Sequence, residues 1–252
     1  MINSLLRAIG RGLLRYLETP MLGYKSFDTT ATDELRRTLK PGDVLLVDGN
    51  LRISLAIKYL SQSSWSHAAL YIGSDYGLTD DSGTAVELVE ADAAKGVIGV
   101  PLSKYAGFNT RICRPKDLQD SDLRQLLDFM ASALGRQYDM KNVIDLIRYT
   151  FPQPPVPQKW RRQMIAVGSG EPSRAICSTL IAQAFQQVNY PILPDITRAN
   201  AREIFHIRHH SLYTPRDFDL SPYFAVIKPT LENGFDYRKI EWSRRNQPQD
   251  VI

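Results

Sequence analysis

The chain has 252 residues, of which 43% are hydrophobic and 23% charged. That is ordinary globular usage, enough for one large domain with insertions or two small ones, and it argues against a disordered chain. The net charge of +4 is mild, and the basic residues form nothing denser than pairs such as Arg161-Arg162 and Arg244-Arg245. A nucleic-acid partner is therefore not expected, because phosphate binding needs a concentrated basic face.

Two cysteines, Cys113 and Cys177, make no disulfide framework and offer no CxxC or Cys/His metal spacing. Three histidines, His206, His209 and His210, share the stretch IFHIRHH without an evident acidic or cysteine partner. Neither a metal nor a cofactor is expected.

Residues 1–18 have the pattern of an amphipathic helix. Ile2, Leu5, Leu6, Ile9, Leu13 and Leu17 recur at helical spacing, with Arg7, Arg11 and Arg15 opposite them. The arginines interrupt any signal-peptide core, and no apolar run approaches the roughly 18 residues of a membrane span. The expected location is cytoplasmic, with membrane association as an extension of it. The first reading of this helix is packing on the domain. The arginine row opposite an apolar stripe also suits an anionic membrane surface, which would make residues 1–18 a peripheral membrane contact.

Residues 1–39 thus read as helix and linker, and Lys40-Pro41-Gly42-Asp43 is a turn signal. Short strands follow at 44–47 (VLLV), 68–73, 85–91, 97–100 and 110–113, with a helix over 51–60 between the first two. The density of short strands and turn residues predicts an antiparallel sheet. From Ser121 the period becomes helical and ends at Gly135. The Pro-rich run FPQPPVPQ opens an insertion over about 151–173. A helix over 177–188, a helical pattern over 195–207 and a strand within 222–229 follow, and 231–252 is a polar tail. The order gives an α+β domain over 40–230, its helices packed on one face of the sheet.

Cys177 opens the amphipathic segment CSTLIAQAF, whose buried side is Leu180, Ile181, Ala184 and Phe185. Unpaired N–H groups at a helix N-terminus favour a thiolate and can hold an oxyanion formed on an attacked carbonyl. The alternative for Cys177 alone is a buried structural thiol. His67, in WSHAALYIG, stands where a strand begins, among small residues, and its ring can take a thiol proton near neutral pH. In AVELVEA, strand alternation points Glu87 and Glu90 to opposite faces, one toward His67 and the other into solvent. Periodicity does not say which.

The ordered set PGDVLLV, WSHAALYIG, LVEA, GRQYD and CSTLIAQAF resembles the circularly permuted papain-like enzymes. These include the YiiX/YebB-like branch of the NlpC superfamily and, more distantly, the lecithin:retinol acyltransferase relatives. The resemblance implies a permuted papain-like fold over roughly 40–228 and a thiol hydrolase or acyltransferase. Cys177 would be the nucleophile at its helix N-terminus, His67 the general base and Glu90 the orienting carboxylate. Tyr138, in GRQYD, would line the pocket or oxyanion site, with a helix-end core aromatic as the alternative. Substrates implied by the family are peptides or acyl lipids. A binding protein that kept the fold without the activity is the competing class.

Overall fold

In the structure, a computed structural model, residues 16, 19–21, 30–80, 82–92, 95–137, 176–199 and 202–239 are described. Tyr138, the Pro-rich stretch 151–173, nearly all of residues 1–18 and the tail beyond 239 lie outside that set. Six strands form one sheet: β1 (Val44–Val47), β2 (His67–Tyr71), β3 (Leu88–Asp92), β4 (Gly96–Val100), β5 (Thr110–Pro115) and β8 (Phe224–Ile227). Their spatial order is β4-β3-β2-β1-β5-β8, and every pairing is antiparallel. The protein is therefore α+β, as its element order implies.

β1 lies between β2 and β5, and all four of its side chains are buried. A strand covered on both faces needs apolar residues at every position, which is why VLLV does not alternate. On one face Val44, Leu46, Ala68, Leu70, Val89 and Ala91 meet two helices, α3 (Asp120–Ser132) and α4 (Ile176–Gln187). α3 supplies Leu126 and Met130, and α4 supplies Leu180, Ile181, Ala184 and Phe185. The Phe185 ring lies 5.2 to 6.4 Å from those of Phe224, Tyr190 and Phe218. Burying a side chain of that size contributes roughly 1.5–3 kcal/mol and fixes α4 along the sheet.

The opposite face is also covered, so the helices are not confined to one side. The stretch read as a linker contains α1 (Thr32–Thr38), which with Leu39 just past its end puts Leu35 and Leu39 against Leu45, Ala69, Tyr71 and Leu88; α2 (Arg52–Ser61) follows β1. The one-turn 3-10 helix Leu102–Tyr105 completes that second core.

The pattern over 195–207 does not form a helix. It forms a hairpin, β6 (Asp195–Ala199) with β7 (Arg202–His206), apart from the main sheet. Its apolar residues fit a helical period as well as a strand, so spacing could not separate the two. β-Branched and aromatic partners decide it: Ile196 faces Phe205, Thr197 faces Ile204, and Thr197 Oγ1 lies 2.8 Å from His206 Nε2.

Two glycines permit close approaches near the ends of the strands. A Cβ on Gly49 would stand 2.9 Å from Ser66 Oγ, and the Gly49 N–H donates to that same oxygen at 2.9 Å. With the Ser66 N–H donating to the Val47 carbonyl, this contact fixes the chain immediately before His67. Gly96, at φ +80, lets the Arg136 carbonyl come within 2.3 Å of where a Cβ would be, and the Val97 N–H takes that carbonyl.

Candidate active site

Three elements bring His67, Glu90 and Cys177 together. His67 is the first residue of β2, registered opposite Val47 at the end of β1. Glu90 is the middle residue of β3, next to β2 in the sheet. Cys177 is the second residue of α4, the helix that packs on both strands. The β2–β3 ladder is registered at Leu70↔Val89 and Tyr71↔Leu88, short of the level of His67.

His67 Nε2 lies 3.1 Å from Glu90 Oε2. Cys177 acts on the same ring, and Nδ1 is the nitrogen that the Glu90 contact leaves to it. The carboxylate thus fixes which ring nitrogen faces the thiol. Burial opposes charge on the ring, but the charges of Cys177 and Glu90 and hydrogen bonds to both outweigh it, raising His67 from its ordinary 6.5 to about 10. At neutral pH the ring is an imidazolium.

Glu90 is only 1% exposed. Burial pushes its carboxyl upward, yet His67 and Lys104 together hold it down at about 2. Lys104 Nζ donates to Oε1, and the Tyr105 hydroxyl donates to Oε2 alongside His67. Burial, then Glu90, keeps the Tyr105 phenol well above its usual range, so it stays a neutral donor. Its ring lies 6.1 Å from that of His67. Nothing in the sequence pattern marks Lys104 or Tyr105, because a Lys-Tyr pair after a strand has no distinctive spacing.

Glu87 does not face solvent. The Glu87 N–H donates to the Val100 carbonyl at 3.1 Å, while Leu88 is also registered against Val100. Two residues opposing one is a β-bulge, and it breaks the alternation that would have separated the two carboxylates. Glu87 is buried, bonded to Arg36 Nε at 2.8 Å and to the Leu102 N–H at 2.8 Å. Both carboxylates therefore grip the Leu102–Tyr105 turn, Glu87 at its start and Glu90 at its end.

The other flagged residues stand elsewhere. Cys113 is wholly buried in β5, and burial pushes its thiol up to about 12. His209 stacks on His210 at 4.0 Å, with its Nδ1 2.7 Å from Ser211 Oγ. Among the described residues, no three His, Cys, Asp or Glu side chains are grouped to hold a metal.

The class defined here is an α+β protein in which a cysteine, a histidine and a carboxylate meet across two adjacent strands and a helix. The resemblance to YiiX/YebB-like papain-like proteins has support in a sequence relative. The chain is 23% identical over 208 residues to an Escherichia coli (strain K12) protein named probable lipoprotein peptidase YaeF, covering 77% of this chain and 72% of the relative. A solved structure of the metalloprotein yiiX from Escherichia coli O157:H7 aligns with 76% of this chain and 97% of that chain, at 13% identity and a TM-score of 0.46. No protein-family model matches the chain.

Proposed function

We propose that the protein is a cysteine hydrolase of the permuted papain-like type, cleaving an amide or ester bond through an acyl-enzyme on Cys177. The observation that carries this reading is the series Cys177, His67, Glu90, drawn from three separate elements: His67 Nε2 stands 3.1 Å from Glu90 Oε2, and Cys177 acts on the same ring. Its order is nucleophile, base and orienting group.

In the first half-reaction the Cys177 thiolate forms a bond to the substrate carbonyl carbon. The N–H groups at the start of α4 are proposed to hold the developing oxyanion. The imidazolium of His67 gives its proton to the leaving amine or alcohol as that bond breaks. In the second half, neutral His67 takes a proton from water, whose oxygen displaces the sulfur and releases the acid. An acceptor alcohol in place of water would make the same chemistry an acyl transfer. Glu90 stays ionised throughout and keeps the ring oriented. Tyr138, which lies outside the described residues, is proposed from the resemblance alone to contribute to the pocket or the oxyanion site.

A peptide amide is the preferred substrate class, because the sequence relative carries a peptidase name. Its name also contains the word lipoprotein, which joins with the amphipathic stretch 1–18 to favour a substrate at a membrane surface. Among the described residues, no helix is long and apolar enough to cross a membrane.

The test is turnover of a lipidated peptide and of an acyl phospholipid by the wild type, Cys177→Ala and Cys113→Ser. Cleavage by the wild type and Cys113→Ser, lost in Cys177→Ala, supports the reading. Cleavage surviving in Cys177→Ala sinks it.

A further inference from the structure

We propose that Lys104 is a positioning residue for the Cys177–His67 pair, its ammonium seated on Glu90 so as to set the charge of the buried cluster and thereby the pH range in which the thiol reacts. The inference rests on the reading of Cys177 and His67 as the reacting pair.

Glu90 is shut off from water, so its charge must be answered by the groups around it. From β2 that group is His67, on Oε2. From the Leu102–Tyr105 turn come Lys104 on Oε1 and the neutral Tyr105 hydroxyl on Oε2. From α4 comes Cys177, which acts on both His67 and Tyr105. On β3 itself, Asp92 acts on Tyr105. Glu87 is already taken by Arg36 and the Leu102 N–H.

With thiolate and imidazolium formed, the charges of the cluster around Glu90 sum to zero: Cys177 and Glu90 negative, His67 and Lys104 positive, and Tyr105 neutral. Removing the Lys104 charge leaves that set at minus one, and every proton in it is then held more tightly. The thiolate would form only at higher pH, and the imidazolium would persist to higher pH. Both steps of a pH profile would move upward together. A side chain that merely packed the turn would lower the rate and leave both steps in place. Lys104 is 38% exposed at its side chain, so replacing it does not open a cavity in the core.

The experiment follows alkylation of Cys177 by iodoacetate against pH in the full chain, quantified on the Cys177 peptide by mass spectrometry. The iodoacetate anion responds to the imidazolium as well as to the thiolate. In Lys104→Met and Lys104→Gln both steps are expected to shift upward by about one pH unit, while Lys104→Arg keeps them at the wild-type positions. Unmoved steps in either neutral variant, with its thermal transition intact, would overturn the proposal. Wild-type Cys177 that alkylates no faster than Cys113 would overturn the active-site reading itself, and this inference with it.

Discussion

His67 Nε2 and Glu90 Oε2 stand 3.1 Å apart, joining the first residue of one strand to the middle of its neighbour where the ladder between them has ended. That contact leaves the other ring nitrogen for Cys177, and the charges of Cys177 and Glu90 together raise the imidazole above its ordinary range.

The two carboxylates of β3 and its bulge should therefore separate in function. Glu90→Gln keeps the shape but loses the charge on His67, and a fall in kcat of roughly 10²- to 10⁴-fold is expected. Glu87→Gln breaks the ion pair with Arg36 and should lower stability, with kcat changed by less than about tenfold. Steady-state kinetics and urea unfolding of both variants check this. Equal losses of kcat would remove Glu90 from the mechanism.

Glu90 also ties stability to acid. Its carboxyl titrates at about 2 in the fold against an ordinary 4.5, so the unfolded chain binds more protons than the folded one between those values. Its contribution is complete above pH 4.5 and is lost as pH falls toward 2. Urea unfolding measured across that range should show a steeper acid decline for the wild type than for Glu90→Gln. Parallel curves would contradict the depressed carboxyl.

Much of this arrangement was legible in the sequence, and the exceptions share a cause. VLLV, the strand from His67 and the α4 pattern Leu180, Ile181, Ala184, Phe185 were readable because burial on a regular element leaves a period. The hairpin over 195–206 was not, since Ile196, Ile204 and Phe205 satisfy two periods and only cross-strand pairing separates them. The bulge at Glu87 was invisible for a related reason, as alternation presumes that one residue opposes one. α1 was hidden by its brevity, with Leu35 its buried apolar side chain and Leu39 packing just past its end. Lys104 and Tyr105 act through a turn whose approach to Glu90 is set by tertiary packing, which no local spacing records.

The anchoring of α4 gives a prediction independent of chemistry. Phe185 is wholly buried among Tyr190, Phe218 and Phe224, so Phe185→Ala should cost about 3–5 kcal/mol in urea unfolding. A loss below about 1 kcal/mol would mean that these rings do not hold the helix.

The most direct test of the central claim is acid-quenched peptide mass spectrometry of the Cys113→Ser protein caught during turnover of a peptide or acyl-lipid substrate. The mass of the substrate acyl group is expected on the Cys177 peptide, appearing within one turnover and missing from His67→Ala. Turnover without any acyl mass on Cys177, or the same adduct forming at the same rate in His67→Ala, would contradict it.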